Sequence, residues 1–330
     1  MKKIARRHFG LTALAATLMA CSASAWSSDA VFPNPSRQVR IIVPFTAGGS
    51  SDVQARMLAD KLSRLWDQTV VVENKPGAGG HLGGRYVTDQ PADGYTLMVG
   101  SIGLHAAYGI YKKLSYNPAT DLRVVTVLAE MPHVVVAAPG LPVKDLQQLT
   151  ALAKKAPGTV NFGSAGVGSS VHMMGELYKL QSGAPIVHVP YRGSSAALND
   201  LLGNQIQLMF ENPPTVLGHI RGGKMKALAV TGKQRLAALP DVPTYGELGF
   251  PQMGNGGWFG VVAPAGTPPA IVRKLNQAIH SAMKEPDFIS KMEEAGATLI
   301  PGTSAQFQTQ IEQAVQRYKN VAKVAKISVE

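Results

Sequence analysis

The chain has 330 residues, 45% of them apolar and 16% charged, enough to bury a sizeable core and to build two domains. Its formal charge is +11, but the basic residues are dispersed and aromatics make up 6%, which argues against a nucleic-acid partner. The charge suits acidic small molecules, an anionic membrane surface or plain solubility, and the single cysteine, Cys21, excludes a disulfide framework and a cysteine metal site.

Residues 1–25 read as a signal peptide: a basic start, an apolar run over 9–20, and Ala23-Ser24-Ala25 as a cleavage site before Trp26. Two other readings stay open. Arg6-Arg7 resembles a twin-arginine signal, and Leu18-Met19-Ala20-Cys21 resembles a lipobox in which Cys21 would carry a lipid. Cleavage after Ala25 is the preferred reading, and it places the protein in the periplasm. Lys2, Lys3, Arg6 and Arg7 then leave with the peptide, taking four of the +11 charges and leaving +7. No later stretch reaches the length of a transmembrane helix.

The mature chain opens with a β-branched run, Ile41-Ile42-Val43, which predicts a strand covered on both faces. Gly48 and Gly49 follow as a turn, and Ser51 with Gln54 fits a capping box at the start of a helix carrying Leu58, Leu62 and Leu65. A second strand is expected over 69–72, a turn over 74–80, a helix over 81–88 and a third strand over 95–99 ending at Gly100-Ser101. That alternation builds a parallel sheet with right-handed crossovers, and it brings Ser101 to the same edge as Gly48 and Ser50.

Two apolar segments, 122–128 and 134–138, lead to Pro139-Gly140-Leu141-Pro142, where the chain is expected to cross into a second αβ series. That series has a helix over 145–155, a strand over 160–163 and a second glycine-serine turn over 164–170. Strands over 186–191, 205–210 and 227–231 follow, with a helix opened by Gly193-Ser194-Ser195. The segment 257–264 reads as a strand returning to the first lobe, followed by helices over 270–283, 287–295 and 304–324. The fold class is therefore α/β, with two αβ lobes: 26–128 with 256–330, and 129–255.

A helix start preceded by glycines and serines offers free N–H groups, hydroxyls and the positive end of a dipole, which favour an anion. The expected ligand-binding residues are Phe45, Ala47, Gly48, Gly49, Ser50, Ser51 and Ser101 from the first lobe. Ser164, Ala165, Gly166, Ser169, Ser170 and Glu211 are expected from the second. Glu211 ends a strand and faces the expected ligand, where it accepts a hydrogen bond from a ligand donor or from a protonated carboxyl. Trp258 and Phe45 are candidate cleft walls, and Trp258, Glu211 and the loop around His133 are where discrimination is expected.

Enzyme signatures fail: the nucleophile elbow is absent, Leu82 replaces the last glycine of a dinucleotide fingerprint, and Met225 stands where a P-loop needs Ser or Thr. His172 and Glu176 share a helix face without an evident third ligand, so His172 is expected to cap or pack beneath the cleft. No catalytic residue, cofactor or metal is expected.

The motifs VPFTAGGSSDVQAR, VVENKPGAGG, PADGYTL, NFGSAGVGSSVHMMGELYK, VPYRGSSAALNDLLGNQIQLMF, LAVTGKQRLAALPDVPTYGELGFP and WFGVVAPAGTPPAIVRKLN resemble, in this order, the tripartite tricarboxylate transporter receptors. These are also called Bug-family periplasmic binding proteins, and the resemblance covers nearly all of the mature chain. It implies a type II periplasmic binding fold, a Venus flytrap with a hinge and central cleft. Such a receptor would be a monomer that captures a di-, tri- or aromatic carboxylate and hands it to membrane permease subunits. It also implies that a ligand carboxylate is held between the turns 45–51 and 164–170, often through water. Relatives often carry Gly-Thr where Ser50-Ser51 stand and Asp where Glu211 stands. Two alternatives remain: a ligand sensor for a signalling partner, and an exported hydrolase or lyase using Glu211 and His172.

Overall fold

The run VRIIV forms strand β1 (Val39–Val43), buried at four of its five positions because neighbouring strands flank it and helices cover its faces. The computed structural model describes residues 32–101, 104, 110–111, 113–254 and 256–327; the expected signal peptide, its cleavage site and Cys21 lie outside them. Helix α1 (Ser50–Trp66) crosses from β1 to β2 (Val70–Asn74), and α2 (His81–Thr88) crosses from β2 to β3 (Thr96–Ser101). Both β2 and β3 pair with β1 in parallel. The short α3 (Pro118–Asp121) then leads into β4 (Leu122–Met131).

The chain changes sheets at Pro132-His133. Strand β5 (Val134–Ala137) belongs to the second sheet, so the turn at Pro139-Gly140-Leu141-Pro142 lies beyond the crossing expected there. Helix α4 (Leu146–Lys155) is capped by Asp145, whose carboxylate accepts from the Gln148 amide at 2.7 Å. Strand β6 (Asn161–Ser164), helix α5 (Ser170–Ser182) and strand β7 (Val187–Pro190) repeat the opening unit of the first sheet. Helix α6 (Ser194–Leu202) follows, and β8 (Leu208–Glu211) pairs in parallel with β6 as β7 does. Sequence reasoning had no element after Glu211, where α7 (Pro213–Arg221) begins on two prolines. Proline at a first helical position lacks only an N–H that has no partner there anyway. Strand β9 (Lys226–Val230) closes the second sheet, whose order is β7-β6-β8-β5-β9.

Strand β10 (Gly257–Pro264) returns to the first sheet and inserts antiparallel between β3 and β4. Helices α8 (Pro269–Ala282) and α9 (Pro286–Glu294), the two-residue strand β11 (Thr298–Leu299) and the long helix α10 (Ser304–Val324) complete the described chain. The first sheet runs β11-β4-β10-β3-β1-β2. The two crossings lie side by side: Gly257 pairs with Met131, and a Cβ at Gly256 would meet the Met131 carbonyl oxygen at 2.4 Å. Residues 35–330 form one compact unit.

Each sheet has its own apolar core, and close packing makes one glycine a sensitive probe of the second. A Cβ at Gly175, inside α5, would stand 2.3 Å from the fully buried Phe162 ring. On an open helix face glycine-to-alanine stabilises by about 1 kcal/mol. Here overpacking reverses the sign, and Gly175→Ala is expected to lose about 1–3 kcal/mol. A lowered urea midpoint at unchanged slope checks this; a raised midpoint would show that the ring moves aside freely.

Candidate functional site

The carboxyl ends of β1, β3, β6 and β8 converge, and the turns that leave them define the candidate site. In the first turn Gly48 has φ 81°, a left-handed conformation that glycine adopts without strain. Its N–H donates to Asp52 Oδ2 at 3.0 Å, and Asp52 also accepts from Arg56 Nε (2.9 Å) and Asn74 Nδ2 (2.9 Å). Burial raises the Asp52 pKa, but the hydrogen bonds from Arg56, Gly48 and Asn74 outweigh it, and the carboxyl sits below its ordinary range. Asp52 is therefore an ionised anchor for the turn. Helix α1 starts two residues earlier than expected, with Gly49 as N-cap and no side-chain cap, so the Ser51–Gln54 capping box does not form. Ser50 and Ser51 become the first helical residues, whose N–H groups have no intrahelical acceptor.

The second turn is held differently. The Ser164 hydroxyl accepts from the Gly166 amide at 3.1 Å and lies 2.6 Å from His188 Nε2; the Ser169 hydroxyl donates to the Gly166 carbonyl at 2.7 Å. Ser169 caps α5 by accepting from the His172 amide. The Gly168 amide donates to His172 Nδ1 at 3.1 Å, which places that ring's proton on Nε2. The His172 and His188 rings lie against each other with centroids 3.9 Å apart and planes tilted by 31°. Burial pushes their pKa values down to about 3 and about 4, so both are neutral. His172 thus caps and packs beneath the turn as expected. Its partner His188 escaped notice because it is brought in by β7, whose register sets His188 beside Phe162 of β6.

Between the turns is a cavity of about 30 Å³, room for one or two waters. Of the expected residues, Phe45, Gly49, Ser50, Ser51, Ser101, Ala165, Ser169, Ser170 and Glu211 line it. Ala47, Gly48, Ser164 and Gly166 do not: they shape the turns from behind or at the rim. Val171, Ser194, Asn212 and Phe259 complete the wall and were not among the expected ligand-binding residues, although Ser194 opens a helix at the same edge. Phe259 stands where Trp258 was expected, because successive strand residues face opposite sides. Trp258 packs edge-on against Phe307 in the core of the first sheet, ring centroids 4.3 Å apart.

The electrostatics are set by backbone. The first turns of α1, α5 and α6 and the cap of α7 all contribute wall residues, so four positive helix ends surround one small space. Among the described residues no lysine, arginine or histidine lines it, and Glu211 is its one ionisable group. Glu211 is 1% exposed. Burial pushes its pKa up to about 7, and hydrogen bonding from Ser194, Asn212 and Thr215 offsets part of that rise. Oε1 accepts from the Asn212 amide at 2.8 Å, while Oε2 has no hydrogen bond of good geometry among the described residues. Asn212 also donates to the Pro132 carbonyl at 2.9 Å, tying the site to the sheet crossing.

The lobes touch around this space. Ser195 Oγ donates to the Ala47 carbonyl at 2.7 Å, the Ser50 and Thr215 hydroxyls are 3.2 Å apart, and Tyr111 Oη donates to the Val167 carbonyl at 2.7 Å. Gly166, at φ 119°, packs directly on Gly79: a Cβ there would be 3.1 Å from the Gly79 nitrogen. Gly49, by contrast, has φ −80°, and a Cβ would find only the Thr46 carbonyl oxygen at 3.7 Å. Its turn does not require glycine, and only a side chain long enough to fill the cavity would matter there.

Comparison with known proteins places this geometry. The profile of the tripartite tricarboxylate transporter family receptor, TctC, matches residues 54–327. BugT of Bordetella pertussis is 39% identical over 291 residues, covering 88% of this chain and 89% of its own. The solved periplasmic binding protein BugD has 33% identity and a TM-score of 0.86, covering 90% of this chain and 100% of its own. An R. palustris protein solved with adipate has 36% identity and a TM-score of 0.86, covering 89% and 99%. MatC from Rhodopseudomonas palustris, solved with bound malate, has 32% identity and a TM-score of 0.83, covering 87% and 99%. With a family profile across most of its length and such relatives over nearly all of theirs, this chain belongs to the tripartite tricarboxylate transporter family of receptors, and its fold is that of a two-lobed periplasmic binding protein.

Proposed function

We propose that this protein is an exported periplasmic receptor that captures a small organic carboxylate between its lobes and delivers it to a tripartite tricarboxylate-type membrane permease. The observation that carries the reading is the ring of helix N-termini around a wall that holds no cation among the described residues. Free N–H groups and serine hydroxyls can satisfy the lone pairs of a carboxylate, and they do so without the desolvation that a buried lysine or arginine would cost. The residues proposed to hold it are Phe45, Gly49, Ser50, Ser51 and Ser101 from one lobe and Ala165, Ser169, Ser170, Ser194 and Glu211 from the other. Ala47, Gly48, Ser164 and Gly166 set the conformation of the turns.

The relatives solved with adipate and with malate hold dicarboxylates, which supports this ligand class for a chain 32–36% identical to them. The boundary expected at 128 moves to the end of β4, so the lobes we assign are 35–131 with 256–327 and 132–255. They swing about the paired crossings at Pro132-His133 and Gly256. A monomer suffices, because the wall is built from one chain. Among the described residues no helix is long and apolar enough to cross a membrane, which fits a receptor that meets its permease from outside.

A thermal-shift panel of mono-, di-, tri- and aromatic carboxylates tests this, on protein unfolded and refolded to strip any co-purified ligand. A true ligand at a hundred times its Kd adds about 2.7 kcal/mol, which is expected to raise Tm by about 4 °C. No stabilisation by any carboxylate would overturn the reading.

A further inference from the structure

Behind the clamp lies a second cavity of about 80 Å³, and Ser170 lines both. One wall is the face of α5 carrying Ser170, Met173, Met174 and Leu177, spaced i, i+3, i+4, i+7 along one stripe. The opposite wall is the α10 face of Arg317, Tyr318 and Val321, so the cavity lies between one helix from each lobe, next to the sheet crossing. Its surface is chiefly thioether, aliphatic and aromatic.

At the crossing stands His133, 2% exposed, whose two ring nitrogens have no hydrogen-bond partner among the described residues. Its backbone is pinned: the amide donates to Thr231 Oγ1 at 2.8 Å, and its carbonyl accepts from the Thr231 amide at 2.9 Å. Leaving a buried donor and acceptor unmet is costly, so an imidazole held this way beside a cavity points to a group that enters it. The clamp cavity, at about 30 Å³, has room for a carboxylate but not for the molecule attached to it. From Ser170 to Leu177 the α5 stripe runs about 10 Å, the length of a six- to eight-atom chain or an arylalkyl group.

We propose that this second cavity receives the remainder of the bound acid, so that the receptor's ligands are carboxylates bearing a hydrocarbon or aryl group that lies along Met173, Met174, Leu177 and Val321. His133 meets a polar atom at the far end, and Arg317 at the rim favours a second acid there. Methionines adapt their shape to aliphatic and aromatic groups alike, which suits a site taking a class rather than one compound. The proposal rests on the carboxylate reading of the clamp and narrows it.

Calorimetric titration with succinate, adipate, propionate and 3-phenylpropionate, on the wild type and on Val321→Phe and Leu177→Gln, tests it. In the wild type, adipate and 3-phenylpropionate are expected to bind at least tenfold more tightly than succinate and propionate respectively. Val321→Phe, which fills the cavity from the half-buried α10 face, is expected to abolish that preference while leaving the short acids' affinity unchanged, a result that also certifies its fold. Leu177→Gln is expected to reduce the preference without changing cavity size. Equal affinity for long and short acids in the wild type, or a variant that weakens both alike, would overturn the inference while the clamp reading stands. If none of the four acids binds, this inference falls, and the clamp reading falls with it only if no carboxylate of the thermal-shift panel stabilises the protein.

Discussion

Replacing Gly193 with alanine is expected to weaken carboxylate binding by about thirty- to a hundredfold while the ligand-free protein keeps its stability. Gly193 has φ 170°, an extended conformation open to any residue, so a side chain there causes no backbone strain. What it meets is the other lobe: the new Cβ would stand 2.1 Å from Thr46 Oγ1 and 3.0 Å from Thr46 Cβ. Rotating Thr46 relieves the first contact at little cost, since that hydroxyl has no hydrogen-bond partner among the described residues. The Cβ–Cβ contact persists. On the proposed hinge closure it is met only when the lobes are shut, so an overpacking cost of about 2–3 kcal/mol falls on the closed state alone. Ligand binding draws on the difference between the two states, and each 1.4 kcal/mol is tenfold in affinity.

Titration calorimetry reads the affinity, chemical denaturation reads the ligand-free stability, and small-angle scattering reads whether ligand still compacts the protein. The double variant Thr46→Gly/Gly193→Ala is expected to recover most of the affinity, because it removes the atom that blocks closure. Wild-type affinity in Gly193→Ala would mean that the Gly193–Thr46 approach is not part of the ligand-bound form.

Those contacts mark where sequence reasoning reached its limit. The strand ends, the two glycine-serine turns and the return of the chain through β10 were legible because β-branched runs, period-3.6 stripes and Gly-Ser junctions are local signals. Phase was not. Whether Trp258 or Phe259 faces the cleft depends on the register of β10, which pairs Phe259 with Ser101. The start of α1 was misplaced by two residues, since Ser51 and Gln54 fit the capping pattern while the true cap, Gly49, has no side chain to announce it. Pro213-Pro214 signalled the end of a strand and concealed the beginning of α7, which brings Thr215 against Ser50. The His172–His188 ring contact joins a helix to a neighbouring strand, and nothing in the spacing of the two residues along the chain announces it. Local chemistry is written in local sequence, whereas the fit of one lobe on the other depends on register and rotation, which accumulate over the whole chain.

The second large effect concerns Glu211 and pH. Its pKa is pushed up by burial from an ordinary 4.5 to about 7, so over the interval between those values the folded protein holds a proton that the unfolded chain has lost. Raising pH through that window therefore lowers stability, and above about 7 the full cost of a buried carboxylate, at most about 3 kcal/mol, is present and constant. Glu211→Gln keeps the shape and removes the charge. It is expected to raise the urea midpoint at pH 8, to leave it nearly unchanged at pH 4.5, and to flatten the profile between.

Binding follows the same sign. A ligand carboxylate beside Glu211 meets a hydrogen-bond donor when the side chain is protonated and a like charge when it is not. Among the described residues no cation in the wall compensates, and Ser194, Asn212 and Thr215 are the polar groups that face the carboxyl. Wild-type affinity is expected to fall as pH rises through 7, approaching tenfold per pH unit. In Glu211→Gln it is expected to stay level and to exceed the wild type at pH 8 by tenfold or more, because the amide always presents a donor. Calorimetry from pH 5.5 to 8.5 distinguishes the cases. If the wild-type affinity is flat while the stability profile still bends near pH 7, Glu211 titrates as described but the ligand does not reach it. That result would place the acid deeper along α5 and leave Glu211 to hold the turn into α7 at the sheet crossing.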